Sequence, residues 1–184
     1  MKVIETELEG VLVIEPQIFS DNRGMFFESY NKSRYRTDVV DAEFVQDNVS
    51  VSKKNVLRGL HYQLNNPQGK LVSVLEGEVF DVAVDIRKGS PTFGQWASVI
   101  LSAENRRQFY IPENFAHGFC VLSNTAIFSY KCTAAYAPGD EYTLHYSDHD
   151  IGINWPCEKP LLSDKDKIGL SLAELDNSLP TYQG

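Results

Sequence analysis

Short segments with period-two alternation, each closed by turn residues, recur along nearly all of this chain, and such a pattern predicts an all-β fold. The clearest segment is 79–87, where Phe80, Val82, Val84 and Ile86 take one face while Asp81, Ala83, Asp85 and Arg87 take the other. Strands are also expected at 11–14, 25–30, 44–51, 70–75, 96–101, 108–111, 119–122 and 126–133. Between them stand Asp21-Asn22-Arg23-Gly24, Asn65-Asn66-Pro67, Lys88-Gly89-Ser90-Pro91 and Ala137-Pro138-Gly139, all turn-forming combinations. Many short strands at near-regular spacing predict a sandwich or barrel. Helix is confined to one or two turns in 31–40 and to a short C-terminal helix opened by the capping box Ser171-x-x-Glu174. With 184 residues and no internal repeat, the expectation is a single domain over 1–184, with 176–184 a loosely held tail.

Charge narrows the partners. Twenty-five acidic residues against 17 Lys and Arg give a net charge of -8, which argues against non-specific binding to nucleic acid or to an anionic membrane. A few arginines inside a cleft can still hold an anion. The N-terminus carries no apolar leader and no run approaches membrane-span length, so the cytoplasm is the expected location. Cys120, Cys132 and Cys157 form neither a C-x-x-C pair nor a zinc-type cluster, and read as buried free thiols of a reducing compartment.

The densest chemistry lies in Val56-Leu-Arg-Gly-Leu-His-Tyr-Gln63 and Pro67-Gln-Gly-Lys70, which set an imidazole, a guanidinium, an amide and an ammonium close together among strand-like segments. His61 reads either as a general base or as a satisfied core or turn histidine. His117, in a glycine-containing turn, is equally open, whereas His145 and His149 sit in a polar stretch that looks like surface loop. A metal is not expected: His61 is followed by Gln63 rather than a second imidazole, and then by Lys70, whose charge repels a cation. Neither a G-x-G-x-x-G nor a Walker sequence is present, so a bound diphosphate would fall to arginines such as Arg23 and Arg58, either of which also reads as a surface residue. Tyr130 runs in phase with Ala126, Phe128 and Cys132 and should face an interior, as structural filling or as a proton donor. Gln46 and Asn48 share a face with Phe44, and Phe26 shares one with Glu28; such faces suit a planar polar ligand or simply solvent. A carboxylate from Asp164-Lys165-Asp166 could fix the tautomer of His61 if the chain folds back that far.

Over almost its whole length the chain resembles the cupin-type deoxythymidine-diphosphate (dTDP)-4-dehydrorhamnose 3,5-epimerases. The blocks that carry the resemblance are Asp21-Asn-Arg-Gly-Met-Phe-Phe-Glu28, Phe44-Val-Gln-Asp-Asn48, Val56 to Gln63, Pro67 to Val72, Gly77 to Asp85, Ile111 to Phe119, Tyr130-Lys131, Trp155-Pro156 and Leu162 to Asp166. The resemblance implies a jelly-roll sandwich, a homodimer, no cofactor, no metal, and a dTDP-linked 4-keto-6-deoxyhexose as substrate, inverted at C3 and C5. It also implies site residues: His61 as base with Asp166 orienting it, Tyr130 as acid, Lys70 beside the C4 oxygen, and Arg23 and Arg58 on the diphosphate. Gln46, Asn48, Phe26 and Glu28 are implied as nucleotide contacts across the dimer, with His117 and Tyr136 as further substrate contacts. After Glu141 the sequence departs from the family's Gly-Ile-x-Trp pattern, an expected change at the nucleotide rim. Two other functions fit the same framework: a single-carbon epimerase or ketoisomerase on a related sugar, and a non-enzymatic sugar-nucleotide binding module.

Overall fold

The computed structural model describes residues 1–183 and contains two packed antiparallel sheets plus a projecting hairpin. The first sheet has six strands, running from β1 (Lys2–Glu5) and β2 (Leu12–Glu15) through β10 (Gln108–Ile111), β7 (Lys70–Glu76) and β12 (Thr125–Cys132) to β5 (Gln46–Lys53) at its edge. The second has five, in the order β13 (Glu141–Thr143), β6 (Leu57–Gln63), β11 (Phe115–Val121), β8 (Glu78–Asp85) and β9 (Trp96–Ser102). The hairpin is β3 (Ile18–Asp21) and β4 (Gly24–Phe27), turned at the Asp-Asn-Arg-Gly sequence. The strand spacing anticipated a sandwich or barrel, and this is the cupin-like jelly roll that the family resemblance implied.

Aromatic and branched residues of the two inner faces make the core. Phe119 of β11 stacks on Phe128 of β12 with ring centroids 4.1 Å apart, joining the sheets. Burying each such ring stabilises the fold by roughly 1.5–3 kcal/mol. A second apolar layer lies outside the five-stranded sheet, where Val82, Val84 and Ile86 pack with Leu60, Tyr62 and Leu144 under Leu172, Leu175 and Leu179. Strand β8 is therefore buried on both sides, and the face bearing Asp81, Ala83 and Asp85 turns into the sandwich, not into water.

That outer layer corrects the expectation of a loose tail. Leu179 is buried, the Pro180 carbonyl accepts from Lys88 N–H at 2.8 Å, and Tyr182 N–H donates to the Lys88 carbonyl at 2.9 Å. Arg87 lies over the rings of Phe115 and Tyr182. Apolar contact under the sheet supplies what composition alone did not reveal; Gly184 lies outside the described residues. The capping box forms, with Ser171 N–H donating to the Glu174 carboxylate and Glu174 N–H donating to Ser171 Oγ, but it opens a turn and a 3-10 turn over Asp176–Ser178 rather than an α-helix. The N-terminal helix appears as α1 (Lys32–Asp38), capped by the Asn31 side chain. A helix not expected is α2 (Asp164–Lys167), one turn capped by Ser163.

One irregularity positions the site. Between β6 and β11 the register pairs His117 with His61 but Phe119 with Arg58, a slip of one residue. In a regular strand, Arg58 and His61 would point to opposite faces. The slip brings both to the inner face, as bulges do when they re-aim a side chain. Gly59 and Gly118 meet at that point: a Cβ on Gly59, whose φ is +117°, would lie 2.6 Å from Gly118 Cα and 2.6 Å from the His117 carbonyl oxygen. Gly59→Ala is accordingly expected to cost about 2–4 kcal/mol, since neither backbone can yield cheaply. That corresponds to a Tm roughly 10 °C lower in a thermal melt; an unchanged Tm would refute the packing argument.

Candidate active site

Between the sheets opens a cavity of about 510 Å³, of the size that takes a drug-sized or nucleotide-sized ligand. The six-stranded sheet supplies one wall. In its register Asn48 stands opposite Tyr130, while Gln46 and Lys70 flank Cys132, so β5, β12 and β7 present Gln46, Asn48, Ser50, Tyr130 and Lys70 from one face. The five-stranded sheet supplies the facing wall, with His61, His117 and Arg58 on β6 and β11 and Glu141 on β13. Ser163, Lys165 and Asp166 close one side from α2 and its cap.

His61 is held at one ring nitrogen. Its Nε2 bonds Asp166 Oδ1 at 2.6 Å, and the other Asp166 oxygen accepts from the Ser163 hydroxyl at 2.6 Å. Burial works against ionisation of Asp166, but the hydrogen bonds from His61 and Ser163 outweigh it and hold its pKa below the ordinary carboxylate value. The strap that carries Asp166 is anchored by backbone bonds from Leu161 N–H to the Asn55 carbonyl and from Leu57 N–H to the Leu161 carbonyl. The remaining nitrogen, Nδ1, looks toward the cavity with Glu141 Oε1 at 4.0 Å.

A second imidazole–carboxylate pair lies deeper. His117 Nε2 meets Asp81 at 2.9 and 3.1 Å, both side chains almost fully buried. Burial is the dominant influence on each, pushing Asp81 up and His117 down in pKa, so the fold disfavours charge on both. Lys70 is buried as well, and among the described residues no hydrogen bond or ion pair holds its ammonium. Burial lowers its pKa, with Cys132, Glu141 and Asp81 opposing the shift. The Tyr130 hydroxyl likewise has no hydrogen-bond partner among the described residues; burial raises its pKa, and the Arg58 guanidinium pulls the other way. Arg58 donates from Nε to Ser52 Oγ at 3.1 Å, which leaves its outer nitrogens available.

Nine of the twelve residues singled out from sequence thus line one cavity: His61, Asp166, Tyr130, Lys70, Arg58, Gln46, Asn48, His117 and Tyr136. Arg23, Phe26 and Glu28 do not. Arg23 pairs with Asp21 on the hairpin tip, Phe26 is 72% exposed, and Glu28 pairs with Arg34. Sequence reasoning missed Glu141, Lys165 and Asp81. The stretch after Glu141 was expected to be rim loop, yet Glu141–Thr143 pairs with β6 as a strand, and the alternation of Tyr142 and Leu144 against Glu141 and Thr143 is a legible signal for it. The Gly-Ile-x-Trp pattern does occur, displaced to Gly152–Trp155, where Trp155 Nε1 donates to the Tyr146 carbonyl. Among the described residues no cluster of three or more His, Cys, Asp or Glu could hold a metal ion, and no helix is long and apolar enough to cross a membrane.

A family model described as dTDP-4-dehydrorhamnose 3,5-epimerase matches residues 5–174. The chain belongs to that family. It is 56% identical over 178 residues to the dTDP-4-dehydrorhamnose 3,5-epimerase of Shigella flexneri, spanning 96% of this chain and 98% of that protein. The Neisseria gonorrhoeae relative is 53% identical over 179 residues, 97% of this chain but 55% of that longer protein. Among solved structures, the Legionella pneumophila dTDP-6-deoxy-D-glucose-3,5-epimerase in complex with dTDP-4-keto-L-rhamnose superposes with a TM-score of 0.97 at 54% identity, covering 100% of this chain and 99% of that one. ChmJ, a 3'-monoepimerase from Streptomyces bikiniensis, gives 0.91 at 37% identity over 97% of this chain and 92% of its own.

Proposed function

We propose that His61 and Tyr130, working from opposite walls of the cavity, carry out the 3,5-epimerisation of this family, converting dTDP-4-dehydro-6-deoxy-D-glucose to dTDP-4-dehydro-L-rhamnose. The observation that carries this reading is the His61–Asp166 pair facing an unpartnered tyrosine and an unpartnered buried lysine across one cavity. A hydrogen on the carbon beside a ketone becomes removable when the oxygen that gains charge is stabilised, and the Lys70 ammonium does this without reorganisation. His61 Nδ1 takes the proton while Asp166 stabilises the imidazolium, the electron pair moves onto the enolate oxygen, and the Tyr130 hydroxyl returns a proton from the other face. No electrons are gained or lost overall, so the scheme needs no redox cofactor.

The rest of the cavity suits the nucleotide. Arg58 grips the diphosphate through its free nitrogens, Gln46 and Asn48 read the base, Tyr136 stacks on it, and His117 contacts the sugar. Strand β5 leaves Val49 and Val51 exposed along the edge of its sheet, with Val45 exposed just before it, and the hairpin exposes Phe19, Met25 and Phe26. These apolar surfaces support a homodimer in which Arg23, Phe26 and Glu28 reach the nucleotide held by the partner. The three buried free thiols support a reducing compartment, and we place the protein in the cytoplasm.

The decisive measurement is solvent deuterium uptake, followed by NMR, with the 4-keto sugar nucleotide as substrate. Label is expected at both C3 and C5. Label at one carbon alone would make the protein a monoepimerase, and binding without label would reduce it to a sugar-nucleotide binding module.

A further inference from the structure

One base and one acid end a first inversion in the wrong states for a second. After the first, His61 holds the proton it removed and Tyr130 is a phenolate; inversion at the other carbon needs a neutral imidazole and a neutral phenol again. On the proposed reading of His61, the proton must therefore leave the imidazole while the sugar is still bound.

We infer that Glu141 carries this proton away, taking it from His61 Nδ1 and releasing it to water at the cavity mouth. Its Oε1 lies 4.0 Å from Nδ1, about 1 Å beyond hydrogen-bond length, and no other carboxylate oxygen approaches that nitrogen among the described residues. Its Oε2 accepts from the Tyr136 hydroxyl at 3.1 Å and from Lys165 Nζ at 2.6 Å. Both of those side chains reach solvent: Tyr136 is 49% exposed and the Lys165 side chain 46%. The other carboxylates near the imidazoles are dead ends. Asp166 is 3% exposed at its side chain, with its second oxygen taken by Ser163, and Asp81 is wholly buried against His117.

The balance closes. The imidazolium gives its proton to the Glu141 carboxylate, the resulting acid gives it to water, and the Tyr130 phenolate takes one from water, so no net proton or electron is consumed. Burial alone would raise the pKa of Glu141, but the hydrogen bond from Lys165 and the charge of His61 bring it below the ordinary value.

Glu141→Gln tests this, because the amide keeps the size and hydrogen-bonding reach of the carboxyl but cannot take the proton. In single-turnover NMR in deuterated water, wild type is expected to label both carbons. The variant is expected to complete one inversion within about threefold of the wild-type rate and to slow the other by about tenfold or more, so that singly inverted sugar accumulates. Glu141→Asp should restore doubly inverted product in part. A raised KM with an unchanged ratio of singly to doubly inverted product would overturn the relay and leave Glu141 as a binding residue. If wild type labels only one carbon, the double inversion fails first, and if it labels neither, the reading of His61 as base fails first; in both cases the relay falls with it.

Discussion

Replacing His61 with alanine is expected to lower kcat by about 10³-fold while KM changes less than about threefold. A positioned general base contributes roughly 10²–10⁴ in rate, and the carboxylate behind it cannot take its place. Asp166 is engaged by Ser163 and almost fully buried. The diphosphate grip assigned to Arg58, by contrast, does not pass through the imidazole: Arg58 is held by Ser52. Steady-state kinetics against the 4-keto sugar nucleotide reads the split between kcat and KM directly. A normal rate at saturation with weakened binding would mean that His61 is a substrate contact and that the base lies elsewhere.

Lys70→Met should separate activity from stability in opposite directions. Loss of the ammonium that receives the enolate charge is expected to cost about 10²–10³ in kcat, the usual scale for removing one preorganised oxyanion donor. The same change removes a buried cation with no paired carboxylate among the described residues. Because the fold lowers the pKa of Lys70 beneath that of the unfolded chain, the protonated lysine opposes folding. That penalty is complete below the folded pKa and fades as pH rises toward the unfolded value of 10.5. Methionine has nearly the same shape and no charge to desolvate. The variant is therefore expected to melt at or above the wild-type Tm at neutral pH while turning over far more slowly. A lower Tm together with near-normal kcat would show Lys70 to be a structural residue.

Much of the site was readable because strands report their faces through alternation. The phase of Ala126, Phe128 and Cys132 placed Tyr130 inward, and the structure puts it on the cavity wall. The same rule put Gln46 and Asn48 on one face of β5 without deciding between ligand and solvent; the structure turns that face to the cavity and leaves Val49 and Val51 outward. Alternation was silent about what covers a face. The apolar side of β8 was evident, but its burial depends on Leu172, Leu175 and Leu179, whose helix-like spacing announced a short C-terminal element without saying which surface it covers.

Local pattern set the fold class, the inward tyrosine and the candidate base, since each depends on residues a few positions apart. Contacts between distant segments decided the rest. Asp166 meets His61 across 105 residues, and Arg58 joins His61 on one face only because two glycine backbones meet at a register slip. Glu141 reaches the base only when β13 pairs with β6. Periodicity describes one strand at a time, whereas a site built across two sheets depends on register and closure, which come into being only as the sheets pack.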